Sequence, residues 1–273
     1  MAIITISRGS LSGGANLAQM TAEALNCECI SRELLLESAS AAYGLDPKEL
    51  ADALEKPPSL WERITKGRRV YLKILKAALL EHACSGELIY HGHAGHFLLQ
   101  DLKCVLKVRL IAPMESRIRA AMELKQMSRE EAESHIRSID EIRTRWTKYL
   151  YNVDWCDPIN FDLVLNLDVM KMNTAKDLIC LAVQKTEFKI CKSGAMIINN
   201  IVLSAKVAAH LAIHKETETL DLDISADDGV VRLKGDIESQ KLQPLIMDIV
   251  KSVPGVKSIH DELAVKSISP IPT

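Results

Sequence analysis

The sequence predicts an α/β protein in which a parallel sheet carries helices on both faces, followed by a small α+β unit of order αββαβ. Three observations carry that reading. Up to about residue 185, short apolar runs alternate with longer stretches of helical periodicity, and repeated strand–helix–strand succession is how parallel sheets are built. Two of the runs, in ELIYHG and FDLVLN, are short, apolar and closed by turn or polar residues, as central strands buried on both faces are. After KTEFKICKSGAMIINN the pattern changes to helix, two strands around an Asp-Asp-Gly turn, helix and strand.

Taken in order, the candidate strands of the first unit are residues 3–6, 28–30, 88–91, 105–111 and 163–166. Residues 17–25, 33–42, 47–54, 61–84, 114–125, 129–149 and 174–185 place their apolar side chains at helical spacing. In the second unit the order is helix 202–214, strand 220–226, a turn at Asp227-Asp228-Gly229 and strand 230–235. Helix 239–252, a turn at Pro254-Gly255 and strand 256–266 complete it, and the tail SISPIPT is expected to fray. The expected organisation is a first domain over 1–188, a linker over 189–199 and a second domain over 200–268. A chain of 273 residues is long enough to bury two cores.

With 48% hydrophobic residues, 26% charged residues and a formal charge of −2, the composition is that of a globular protein. No global field favours nucleic acid, and anion affinity has to come from a local cluster. Arg8 and a glycine turn interrupt the first apolar run, so a signal-peptide pattern is missing, and no uninterrupted apolar run reaches the length of a membrane span. The seven cysteines are scattered and form no CxxC pair, which favours reduced thiols and a cytoplasmic setting.

The stretch IITISRGSLSGGANLA reads as a strand, a glycine turn and a helix. Such a turn binds phosphate through unpaired helix N-terminal amides and the helix dipole. A complete phosphate loop adds a lysine on the terminal phosphates and a hydroxyl on magnesium. In register, Gly13 keeps the close backbone approach, Gly14 stands at the lysine position, Ala15 follows, and Asn16 stands at the hydroxyl position with a carbonyl oxygen for magnesium. Arg8 at the loop entrance returns positive charge. The glycines alone fit a ligand-free tight turn equally well.

The order of ITISRGSLSGGANLA, ISRELL, LIYHGHAGHFLL, VRLIAPMESRIRAAM, IDEIRTRW and VDWCDPINFDLVLN resembles the cytidylate kinase-like proteins, a branch of the P-loop nucleoside monophosphate kinases. The resemblance covers residues 2–186 and implies a doubly wound five-stranded parallel sheet with a helical lid. It implies ATP and Mg2+ as cofactors on Arg8, Gly9, Ser10, Ser12, Gly13, Gly14, Ala15 and Asn16, with Asn16 the metal ligand. A pyrimidine nucleoside monophosphate or related acceptor would lie near Arg32, Gly92 and His93. Members of this branch typically have a GSGG-type loop without the lysine. Two departures concern charge: Ser31-Arg32-Glu33 stands for the usual Asp-Arg-Glu, and Gly92-His93-Ala94 stands for Gly-Arg-Gly.

Arg109, Arg117, Arg119, Arg137, Arg143 and Arg145 are concentrated between the fourth and fifth strands. Arginine suits phosphoryl transfer because its planar fork grips phosphate oxygens. By the resemblance, Asp140-x-x-Arg143-x-Arg145 corresponds to the lid motif, and Arg117, Arg143 and Arg145 are the expected catalytic arginines. Surface i,i+4 pairing, as in Glu133/Arg137 and Glu141/Arg145, is the competing reading. His91, His93 and His96 raise a zinc site, but no nearby cysteine or carboxylate completes a ligand set. Asp162, Asn166 and Asp168 read as turn and strand-end residues.

ISADDGVVRLKGDIESQ followed by VKSVPGVKSIHDELAV resembles a BON domain over residues 201–266. That resemblance implies a binding module for a phospholipid surface or a protein, with no catalytic set. The combined expectation is an ATP-dependent phosphotransferase with a docking module. The alternative is a catalytically impaired nucleotide sensor or scaffold acting through that module.

Overall fold

The computed structural model describes residues 2–55, 67–84, 86–92, 94–190 and 192–266. Five strands, β1 (Ala2–Arg8), β2 (Glu28–Ser31), β3 (Glu87–His91), β4 (Val105–Ile111) and β5 (Leu163–Asn166), form one parallel sheet in the order β2-β3-β1-β4-β5. β1 lies at the centre, and the chain fills one side of it before crossing to the other. The carboxyl end of β1 is therefore the switch point where open α/β sheets leave a crevice for ligands.

Strand alternation divides the core. Ile4 and Ile6, with Ile89, Leu106, Val108, Leu110 and Leu165, pack under α1 (Gly14–Leu25) and α8 (Met172–Val183). On the other face Ile3, Ile30, Leu88, Tyr90 and Val105 pack under α2 (Arg32–Tyr43), α3 (Pro47–Glu55) and α4 (Gly67–Ala83). A single turn, α5 (Gly95–Leu98), follows β3 where no helix was expected. Two antiparallel helices, α6 (Met114–Lys125) and α7 (Arg129–Tyr151), rise between β4 and β5 and pack on each other through Ile118, Ala121, Ala132 and Ile136. Of the expected helix over 61–84, residues 61–66 lie outside the described residues, as do His93 and the SISPIPT tail.

The second sheet has the order β6-β7-β8, with β6 (Asp223–Asp227) antiparallel to β7 (Val230–Ile237) and β7 parallel to β8 (Ser258–Val265). The helix α10 (Leu242–Ser252) connects β7 to β8. β6 begins later than its alternation suggested. Residues 214–220 are instead wound into turns, where the Thr217 hydroxyl donates to the Leu211 carbonyl at 2.6 Å and closes the preceding helix.

That preceding helix, α9 (Lys192–Ile213), starts inside the segment expected to be a linker. It belongs to both cores. Ile198, Val202, Ala205 and Ala209 join the core beneath α4, whereas Leu203, Val207 and Leu211 join the core of the second sheet. The first set recurs at steps of four, three and four, the second at steps of four, so each forms one stripe of the same helix. Residues Gly194–Ile213 are long and apolar enough to cross a membrane by length and composition. Packing on two sides accounts for the apolar residues of both stripes, while Met196 and Ile197 near the start of the helix stay exposed.

Candidate phosphate-binding site

The loop from Gly9 to Gly13 joins the carboxyl end of β1 to the start of α1. Gly13 has φ 80 and caps α1 without a side-chain hydrogen bond, while Leu17 donates back to the Gly13 carbonyl at 3.1 Å. The amides of Gly14, Ala15 and Asn16 precede that first helical bond and have no intrahelical acceptor. Ala15 and Asn16 are exposed, and Ser12 is buried with no partner for its hydroxyl oxygen among the described residues. Such a turn presents donors and the positive end of a helix dipole to an anion.

Four of the expected arginines gather here. Arg117, buried on α6, donates from Nε to the Ser10 carbonyl at 2.7 Å and from Nη2 to Asp140 Oδ2 at 2.6 Å. Its guanidinium lies over Gly9, where a Cβ would come within 3.2 Å of Cζ. Asp140 Oδ1 accepts from the Ser10 amide at 3.3 Å. A carboxylate thus already bridges a loop amide and an arginine, as a phosphate oxygen would. Arg143 donates from Nη1 to the Arg8 carbonyl at 2.8 Å. Burial, followed by the repulsion of Arg8, lowers the Arg143 pKa to about 10, with Arg32 and Arg117 adding to that repulsion. Burial also lowers the pKa of Arg8. Arg32, at the start of α2, lies 3.3 Å from Glu33.

Arg145 departs from expectation. It is exposed and ion-paired with Glu141 one turn before it. Two helical residues apart means about 200° around the axis, so Arg143 and Arg145 cannot both face the loop. Arg137 likewise pairs with Glu133 at 2.7 Å. Arg109 is buried for a structural purpose: its guanidinium lies 4.4 Å from the Trp155 ring centre and 5.4 Å from that of Phe161. It donates to the Trp155 carbonyl and to Cys156 Sγ, so the arginine of VRLIAP anchors the DWCDPINF segment. Asp162 accepts from the Lys107 amide at 2.8 Å and Asn166 from the Asp168 amide at 3.1 Å, the strand-end roles expected of them.

At the strand end where the resemblance led an acceptor to be expected, Ser31 accepts from the Leu34 amide at 3.2 Å and caps α2. Serine keeps the capping function of the usual aspartate and loses its charge. Gly92 and Gly95 both lie against Tyr90, where a Cβ would meet the ring hydroxyl at 2.4 Å and Cδ1 at 2.2 Å respectively. Tyr90 was legible only as an apolar strand residue. It is buried, and the charges acting on its hydroxyl are those of Arg32, Arg8 and Glu33, which places it at the same arginine cluster. Burial and then Arg8 push the His91 pKa down to about 4, so it stands neutral beside the cluster. His96 is buried among Phe97 and Phe161.

No group of three His, Cys, Asp or Glu side chains among the described residues can hold a metal ion. At the loop the nearest carboxylate, Asp140, is committed to Arg117 and Ser10. Magnesium is normally held by one or two carboxylates together with substrate phosphates. The amide oxygen of Asn16 alone does not make a resident magnesium site.

Residues 3–169 match the model of the cytidylate kinase-like family, and residues 202–267 match that of the BON domain. A cytidylate kinase from Methanothrix thermoacetophila is 34% identical over 165 residues, covering 60% of this chain and 87% of that protein. One from Pyrobaculum islandicum is 28% identical over 175 residues, covering 64% of this chain and 89% of its own. In the C-terminal part, the osmotically-inducible protein Y of Escherichia coli is 33% identical over 83 residues, covering 30% of this chain and 41% of that protein. Among solved structures, an uncharacterized protein from Eubacterium ventriosum superposes with a TM-score of 0.53 at 19% identity, covering 67% of this chain and 97% of that one. That likeness concerns the fold.

Proposed function

The chain belongs to the cytidylate kinase-like family, and on that premise we propose that its first domain binds ATP and transfers the γ-phosphoryl group to a pyrimidine nucleoside monophosphate or a related acceptor. The observation that carries this reading is the convergence of Arg8, Arg32, Arg117 and Arg143 on the glycine loop, with Asp140 and Glu33 as the neighbouring acids. Guanidinium groups that repel one another are held together at a folding cost, and a polyanion offsets it. The loop amides at Gly13–Asn16 take the β-phosphate, and Arg117 and Arg143 neutralise charge on the γ-phosphoryl oxygens. Arg32 and the Gly92 strand end take the acceptor phosphate. An acceptor oxygen attacks Pγ in line, the Pγ–O bond to ADP breaks, and ADP leaves with that electron pair. Magnesium would enter bound to the ATP phosphates, as part of the substrate. The reaction belongs where ATP is abundant, in the cytoplasm.

A second reading is favoured by α9, whose two stripes fuse the kinase-like core to the BON core. In it the first domain senses nucleotide and the BON domain passes the signal to a protein or phospholipid ligand. Incubating the full chain with γ-labelled ATP and a panel of nucleoside monophosphates, alongside calorimetric titration of ATP, separates the readings. Label transfer supports the kinase. Binding without transfer supports the sensor, and no binding refutes both.

A further inference from the structure

Gly13 and Gly14 are adjacent glycines with different reasons to be glycine. Gly13 has φ 80, a left-handed backbone that any side chain would strain. Gly14 has an ordinary helical backbone and opens α1, where alanine would be favoured over glycine by about 1 kcal/mol. What excludes a side chain there is Arg8. A Cβ on Gly14 would lie 2.0 Å from Arg8 Cδ, 2.9 Å from its Nε and 3.0 Å from its Cβ. Alternation along β1 puts Arg8 on the sheet face of Ile4 and Ile6, which is the face α1 covers. The arginine stem therefore lies across the first turn of α1, in the volume that a lysine at position 14 would occupy. Its guanidinium makes no hydrogen bond or ion pair among the described residues, unlike those of Arg117 and Arg143 at the same loop.

We propose that Arg8 replaces the missing loop lysine: the cation that meets the terminal phosphates enters from the end of β1 instead of the start of α1, and Gly14 is glycine to admit it. The proposal rests on the nucleotide reading above and adds which residue completes the loop. Arginine changes the chemistry of that contact. Lysine is a compact point charge, whereas the planar fork of arginine can grip two phosphate oxygens or bridge neighbouring phosphates. Position 8 and position 14 become alternatives for one space, so a charge is tolerated at either but not at both.

The test is calorimetric titration of the full chain with MgATP and with inorganic tripolyphosphate, each variant's melting temperature being recorded alongside. Arg8→Ala is expected to weaken both ligands on the order of 10- to 100-fold, the effect of losing a charge-assisted contact. Arg8→Ala/Gly14→Lys is expected to recover most of that loss. Gly14→Ala alone is expected to weaken binding about as much as Arg8→Ala, because its methyl group displaces Arg8 despite the better helix propensity. Undiminished binding in Arg8→Ala or in Gly14→Ala overturns the proposal. So does an Arg8→Ala/Gly14→Lys protein that melts like the wild type yet binds no better than Arg8→Ala. If Arg143→Ala loses binding and Arg8→Ala does not, the nucleotide reading stands and the assignment of Arg8 falls. Wild-type protein that takes up neither ligand removes both.

Discussion

His96 tests how the strand end beside the glycine loop is held. It is 5% exposed, neither ring nitrogen has a hydrogen-bond partner among the described residues, and its ring centre lies 4.0 Å from that of Phe97 and 4.7 Å from that of Phe161. Burial above all, with Lys107 and Arg109 adding repulsion, pushes its pKa from 6.5 down to about 3. The unfolded chain takes up this proton near pH 6.5 and the folded chain only near pH 3. Stability is therefore fully present above the unfolded value and falls by about 1.4 kcal/mol per pH unit as the pH drops through that window. The His96 share of the loss is roughly 2 kcal/mol at pH 5 and on the order of 5 kcal/mol across the whole window. His91, pushed down to about 4, adds a second proton over 6.5 to 4 in the same direction. The perturbation is His96→Phe, which keeps a ring in the stack and removes one titration. Two unpartnered nitrogens go with it, each worth about 1–3 kcal/mol, against roughly 1–3 kcal/mol for the larger ring. Urea unfolding at pH 7.5, 6 and 5, followed by tryptophan fluorescence, reads the effect, since Trp61, Trp146 and Trp155 all lie in the first domain. The variant is expected to gain about 2 kcal/mol on the wild type between pH 7.5 and pH 5. Stabilities that fall in parallel over that range refute the reasoning.

Arg143→Ala is expected to weaken tripolyphosphate binding on the order of 10-fold or more, whereas Arg145→Ala changes it less than about 2-fold, because its pair with Glu141 is an exposed one. Equal effects in a calorimetric titration would put Arg145 back at the loop. Arg109→Lys keeps the charge but loses the fork to Trp155 and Cys156 and the stacked plane, and is expected to cost about 2–3 kcal/mol in urea unfolding. A cost below about 0.5 kcal/mol, the level of an ordinary surface change, would contradict its anchoring role. Val207→Asp buries an unpaired charge in the BON core at a cost of several kcal/mol. Because α9 also completes the first core, tryptophan fluorescence should report unfolding at lower urea, and an unmoved first-domain transition would show that the two cores do not share the helix energetically.

How much was legible depended on whether the deciding contact was local. The five strands and most helices follow from periodicity, which is a local property, and the structure reproduces them within a few residues. Arg109 could not be told from a phosphate arginine because Trp155 and Phe161, which hold it, stand 46 and 52 positions further on. The glycine at 14 looked like a lost lysine because the side chain that requires it comes from the strand before the loop. Arg143 and Arg145 were separable in principle, since a helix turns them apart, but the motif drew them together. α9 was read through its second stripe, which gave a boundary near residue 200. The stripe that docks on α4 runs back to Ile198 and had no visible partner in the sequence.

The departures from the family pattern are not spread evenly over the site. Around the glycine loop the turn at Gly13, the buried Arg117, the half-buried Arg143, and Arg8 over Gly14 make a cationic cradle. At the end proposed for the acceptor, Ser31 caps the helix without the charge of an aspartate, and Gly92 and Gly95 serve the packing of Tyr90. Loss confined to one half has a specific consequence. Arg8, Arg117 and Arg143 sit close enough to repel one another, a cost that a bound polyanion would offset. On the nucleotide reading proposed above, that cradle is where the polyphosphate would bind. On the same reading the altered half would decide only the acceptor, so the screen should extend past nucleoside monophosphates to acceptors whose recognition relies less on a second carboxylate or arginine. Label transfer to any acceptor in the widened screen supports the kinase reading, and triphosphate affinity that persists while every acceptor is refused supports the sensor.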